Sequence, residues 1–255
     1  MDDRIRVERP HGGAVLRVTL DAPPGNILDI AMIDALARAL RREGRSASLK
    51  AVLFEGAGDH FSYGVSVQDH RPGRARRMLR SFHGLFRLLL RLDRVLVAAV
   101  RGQCLGGGME LACFCHRVFA HPGARLAQPE IDLGVFAPVA SLILTRRAGQ
   151  AVADEACLTG RPFSPGEALA AGLVDEVSAD PQRAAEEWLA RAILPKSAAS
   201  LRRAVRAVRA SWSAAFLRDL AAVERLYLYD LMATSDAREG IEAFLAKRKP
   251  VWRDR

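Results

Sequence analysis

The run Val95-Leu-Val-Ala-Ala-Val100 is apolar along its whole length and is closed by Arg94 and Arg101. Six residues on, three successive glycines, Gly106–Gly108, precede the helix-type stretch Met109-Glu-Leu-Ala112. An uninterrupted apolar strand fits a parallel sheet buried on both faces. Glycines directly after it allow a sharp turn into a helix and a close approach of backbone to another group. The rest of the first half follows suit. Ala14–Leu20 and Lys50–Glu55 read as strands, and Ile30–Glu43 puts Ile33, Leu36, Ala37 and Leu40 on one helical face. The linker Asp21-Ala-Pro-Pro-Gly-Asn26 and the segment Glu55–Gly58 read as loops. Further strand candidates are His116–Ala120 and Val174–Val177. From about Pro181 the pattern is helical: Pro195 suits a helix start, with Leu201, Val205 and Val208 at helical spacing, and Trp212–Ala233 and Asp236–Lys249 follow. The expected fold class is α/β, with a core over 1–194 and a helical region over 195–255. Leu220, Val223, Leu226 and Tyr227 share one face of that region, suited to covering the core or a neighbouring subunit.

Three segments carry candidate chemistry: His60–Asp69, Val100–Ala112 and Leu126–Val135. In the second, first-turn amides of a helix lack intrahelical acceptors and carry partial positive charge, so the Gly107 N–H can hold an oxygen that is gaining negative charge. One such donor contributes about 10²–10³ in rate. Glu110 lies in the same first turn. The stretch is no phosphate-binding P-loop, because no Lys-Ser/Thr follows. In the third segment Glu130 stands between Pro129 and Ile131, neighbours with a buried look. Two carboxyls on different elements can divide acid and base roles when their environments separate their pKa values. The first segment offers a second amide, that of Val65, after flexible Gly64.

These segments, in this order and spacing, resemble the crotonase (enoyl-CoA hydratase/isomerase) superfamily. The closing stretch Asp236–Lys249 resembles the family's last helix, so the likeness runs from about Val15 to Lys249. The resemblance implies a superhelix of repeated β-β-α units whose C-terminal helices drive homotrimers, often stacked as hexamers. It implies that the amides of Val65 and Gly107 clasp the thioester oxygen of an acyl-CoA, and that Glu110 and Glu130 are the two catalytic acids of a hydratase. Contacts to CoA and the acyl group are implied for Ser62, Gly64, Val65, Val67, Gly106, Phe136, Phe244 and Lys247. CoA is then part of the substrate, with no separate cofactor. After Gly134 the chain reads Val-Phe-Ala-Pro-Val-Ala-Ser141, where straight-chain hydratases usually carry a proline and a glycine-rich turn. That departure, with Tyr63, the tail His70-Arg-Pro72 and Gly102–Gly108, resembles the branch that hydrates cyclohexa-1,5-diene-1-carbonyl-CoA. Straight-chain enoyl-CoA hydration and double-bond isomerisation are the alternatives within enzymes.

Half of the 255 residues are hydrophobic and 26% are charged, an ordinary globular composition. No apolar run reaches the ~18–20 residues of a membrane span. Met1-Asp-Asp-Arg4 lacks the apolar core of a signal peptide. Cys104, Cys113, Cys115 and Cys157 have no zinc-type spacing, and the six histidines form no helical metal pair, so no metal is expected. The cysteines read as reduced thiols of a cytoplasmic protein. Net charge is +9, and eight arginines crowd residues 71–94 against the single acid Asp93. That run reads as a solvated helix face or an electrostatic funnel for a phosphate-bearing ligand such as CoA. A noncatalytic, RNA-binding role is the alternative outside enzymes, but few aromatics accompany the arginines to stack on bases.

Overall fold

The computed structural model describes residues 4–255, so the opening Met1–Asp3 lies outside the described residues. A six-stranded sheet forms the centre. β1 (Ile5–Glu8) pairs antiparallel with β2 (Val15–Leu20); then β3 (Ala51–Gly56), β4 (Val95–Val100), β6 (Arg117–Ala120) and β8 (Glu176–Val177) add in parallel in that order. Two three-residue strands, β5 (Gln103–Leu105) and β7 (Arg125–Ala127), pair in parallel as a separate ribbon. β4 is buried at every position, as its unbroken apolar run requires.

Helices α1 (Ile30–Glu43) and α2 (Ala75–Leu92) cover one face through alternating apolar turns. Met78, Phe82, Phe86 and Leu89 of α2 enter the core while Arg76, Arg77 and Arg80 face outward. The arginine run therefore divides. Arg94 is buried and donates to the carbonyls of Leu92, Gly44 and Ser46, whereas Arg87 pairs with Glu224 and Arg71 with Glu242. α3 (Gly107–Phe114) is short and wholly buried. It is followed by α4 (Pro138–Arg147), α5 (Gln150–Thr159), α6 (Pro165–Ala170) and α7 (Pro181–Trp188).

The first C-terminal helix starts later than Pro195 suggests, and the last stops short of Lys249. α8 (Ala198–Arg225) is capped by the Ser197 hydroxyl, which accepts from the Ser200 N–H, so Pro195 lies ahead of the helix. A π-type turn over Leu226–Asp230 continues it. That turn rotates Leu226 outward (48% exposed) while Leu220 and Tyr227 stay fully buried, and Val208 is 73% exposed. α9 (Ser235–Leu245) ends before Lys247, whose φ of +53° is left-handed. Phe216, Leu220, Tyr227 and Ile241 join the same apolar core as the sheet and α2. No helix among the described residues is long and apolar enough to cross a membrane, and all four cysteines are free thiols.

Candidate active site

The ribbon β5/β7 and the loop after β3 set up the site together. Ser62 bridges to Cys104, and the Leu105 N–H donates to the Ser62 carbonyl at 2.9 Å, which lays residues 61–62 along β5, while Val65 bridges to Leu28. Asn26, buried in the preceding loop, fixes the other side: its amide donates to the carbonyls of Ala57 and His60. The Ser62 hydroxyl is consumed in the same scaffold. It donates to the Asn26 carbonyl (2.8 Å) and accepts from the Gly64 N–H (3.0 Å).

Gly64 has φ +94°, and a Cβ there would lie 2.7 Å from the Leu105 oxygen and 3.2 Å from the Gly107 nitrogen. Glycine is thus required for this strand end to reach the start of α3. Among the described residues, no carbonyl or side chain accepts from the N–H of Val65 or Gly107. Two amides on adjoining segments are thus left with their hydrogen-bonding capacity unused.

Both acids stand by Gly106. Glu110 is in the first turn of α3, buried, with Oε1 accepting from the Ala140 N–H at 2.7 Å. Glu130 sits in a 3₁₀ turn over Pro129–Leu133, and its Oε1 is where a Gly106 Cβ would be, 2.3 Å from that position. Its Oε2 is buried with no hydrogen-bond partner among the described residues. Ile131 is 37% exposed, so the turn itself is not buried as expected; only the carboxyl is driven inward. Burial pushes the pKa of both carboxyls up. The bonds from Ala140 and Val139 restrain the rise at Glu110, and the charge of Glu110 adds to it at Glu130. Their surroundings amplify this isolation from solvent: the Cys157 thiol is pushed up to about 12, by burial first and then by both acids. Tyr227 is raised by the same causes.

A cavity of about 390 Å³ opens beside these groups, walled by Val65, Gly106, Pro129, Glu130, Leu133 and Phe244. Gly64 and Val67 also line it. Five of the expected site residues do not. Ser62 is buried and turned into the scaffold, and Gly107 and Glu110 are buried in α3. Phe136 packs its ring on Tyr227, 5.3 Å between centroids, and Lys247 is exposed past the end of α9. The cation on the wall is instead Arg248, paired with Glu239. Tyr63, His70 and Asp132 line the cavity as well. Tyr63 and His70 belong to the loop tail that marks the sequence as unusual, but nothing in the sequence brings Asp132 or Arg248 to the wall. No group of three or more metal-ligating side chains occurs among the described residues.

A model of the enoyl-CoA hydratase/isomerase family matches residues 11–255. The cyclohexa-1,5-dienecarbonyl-CoA hydratase of Thauera aromatica is 44% identical over 98% of this chain and 97% of its own. A probable enoyl-CoA hydratase of Rhizobium meliloti (strain 1021) is 34% identical over 95% and 96%. Among solved structures, a putative enoyl-CoA hydratase from Mycobacterium avium paratuberculosis K-10 superposes with a TM-score of 0.87 at 26% identity, covering 98% of this chain and 99% of that one.

Proposed function

The chain belongs to the enoyl-CoA hydratase/isomerase family, and from that premise we propose that it adds water across a carbon–carbon double bond conjugated to a CoA thioester. The acyl group we assign is cyclohexa-1,5-diene-1-carbonyl, on the strength of the 44% likeness to the Thauera hydratase. The observation that carries the reading is the pair of interacting carboxyls, Glu110 buried in α3 and Glu130 against Gly106 with an Oε2 that no group among the described residues satisfies.

Two carboxyls removed from solvent whose charges repel do not both ionise readily, so near neutrality they hold one proton between them. The Ala140 N–H stabilises charge on Glu110, while Glu130, with an unpartnered Oε2 among the described residues and the charge of Glu110 nearby, retains the proton. Hydration needs that asymmetry. The amides of Val65 and Gly107 polarise the thioester carbonyl, and the oxygen of water bonds to the electron-poor alkene carbon as Glu110 takes a proton from it. The alkene π pair moves toward the thioester as an enolate, and the carbon next to the carbonyl then takes the Glu130 proton. The net change is one water added, with the acids exchanging roles for the next turnover.

The CoA contacts we assign on the cavity wall are Arg248, which is paired with Glu239, and Phe244. CoA enters as part of the substrate, so no further cofactor is assigned. The exposed apolar side chains Val208, Leu226 and Tyr229 support a homotrimer, singly or stacked as a hexamer, built on the helical region 195–255. Four free thiols support a cytoplasmic location.

The test is a panel of saturated, straight-chain 2-enoyl and cyclic dienoyl-CoA thioesters, followed by mass spectrometry. The mass of one water gained, fastest on the cyclic diene, is expected. Faster conversion of a straight-chain thioester transfers the assignment to that substrate, and rearrangement without mass gain replaces hydration by isomerisation.

A further inference from the structure

His70 lies on the cavity wall, 8% exposed, and its Nδ1 is 2.7 Å from the hydroxyl of fully buried Tyr227. The two residues are 157 positions apart and form a polar link between the loop that carries Val65 and the π-type turn after α8. Burial lowers the histidine to about 4, so its ring is neutral near pH 7, with one nitrogen donating and one accepting.

The Tyr227 hydroxyl fixes which is which. Its hydrogen has no other acceptor among the described residues, and a buried O–H left unpaired is costly, so it donates to Nδ1. The ring proton then sits on Nε2, since the hydrogen bond found for this ring among the described residues is the one at Nδ1. Phe136 packs edge-on against Tyr227 and holds the phenol in place. A neutral donor, oriented from behind and left unused on the wall that also carries Glu130, suits an uncharged oxygen of the bound molecule. An unsaturated acyl group has no such oxygen beyond its thioester carbonyl; a hydrated one has.

Resting on the hydratase reading, we propose that His70 binds the oxygen added to the acyl group through its Nε2–H, and that Tyr227 is the positioning residue that sets this tautomer. The site thereby distinguishes a hydroxyacyl thioester from its unsaturated partner.

Initial rates measured in both directions test this, with cyclohexa-1,5-diene-1-carbonyl-CoA for hydration and its hydrated thioester for dehydration. In His70→Leu the KM for the hydroxyacyl thioester should rise about three- to tenfold, the worth of one neutral hydrogen bond. The KM for the diene should stay within about twofold. His70→Gln, whose amide can donate from nearly the place of Nε2, should restore the lost affinity. Tyr227→Phe keeps the ring against Phe136 and should move the same KM in the same direction, which covers the case of a His70→Leu protein that does not fold. A parallel rise of both KM values, no change in either, or failure of His70→Gln to rescue overturns the proposal. Wild-type protein that converts neither thioester removes the hydratase reading itself, and this inference with it.

Discussion

Glu110 and Glu130 are acids held where ionisation is expensive, and that has a consequence for stability. In the unfolded chain both release their protons near the ordinary glutamate value; in the native pocket they hold them to higher pH. Native protein therefore binds more protons than unfolded protein as pH climbs past the unfolded value. Stability falls through that window, and the loss is complete once pH exceeds the raised native values. From about pH 5 to about pH 9, wild type should lose on the order of 2 kcal/mol more than the Glu110→Gln/Glu130→Gln double variant, read from urea denaturation. Equal losses would show that the carboxyls are better solvated than their burial indicates. Glu110 was legible from its place just after three glycines. Glu130 was legible only as the partner of Glu110, since its apolar neighbour Ile131 turns outward. His70 and Tyr227 were not legible as a pair, because contact between residues so far apart in the chain depends on how the turn after α8 is wound.

The elements explain why the glycine run is placed as it is. α3 begins at Gly107 because Gly106 turns the chain with φ +48° and ψ −125°, and its missing side chain leaves the space that the Glu130 carboxyl enters. Gly106→Ala should thus fail twice. The backbone strain costs about 1–2 kcal/mol, and the methyl pushes Glu130 away from its position, so kcat should fall by at least tenfold with little change in melting beyond the strain. Near-normal kcat would show that Glu130 can act from elsewhere. β2, β3, β4 and β6 were readable to within one residue, since each is an apolar run between breakers. β5 and β7 were not: three residues carry no periodicity, and their pairing is set by what the Ser62 loop needs. The start of α8 is decided by the Ser197 hydroxyl rather than by Pro195, a choice that becomes visible only once the cap hydrogen bond is seen.

At the scale of the molecule, one buried cation fastens the helical region to the site. Arg209 of α8 donates to the Phe114 carbonyl at the end of α3, at 2.7 Å, and lies over the rings of Phe114 and Trp212. Arg209→Ala should lower unfolding free energy by about 2–4 kcal/mol, since it strips the carbonyl of its partner and opens a void among aromatics. A loss below about 0.5 kcal/mol would mean that α8 is held by its apolar contacts alone. The α/β class and the helical end could be read from the chain, but this joint could not, because an arginine in a basic sequence gives no sign that it is buried. The proposed hydration depends on two acids that work as a unit, and a double-variant cycle measures that directly. Hydration of cyclohexa-1,5-diene-1-carbonyl-CoA should fall about 10²–10⁴-fold in Glu110→Gln and in Glu130→Gln, with KM little altered, and the double variant should be hardly slower than either. Multiplying losses, or a single variant that retains wild-type turnover, would contradict the shared-proton mechanism.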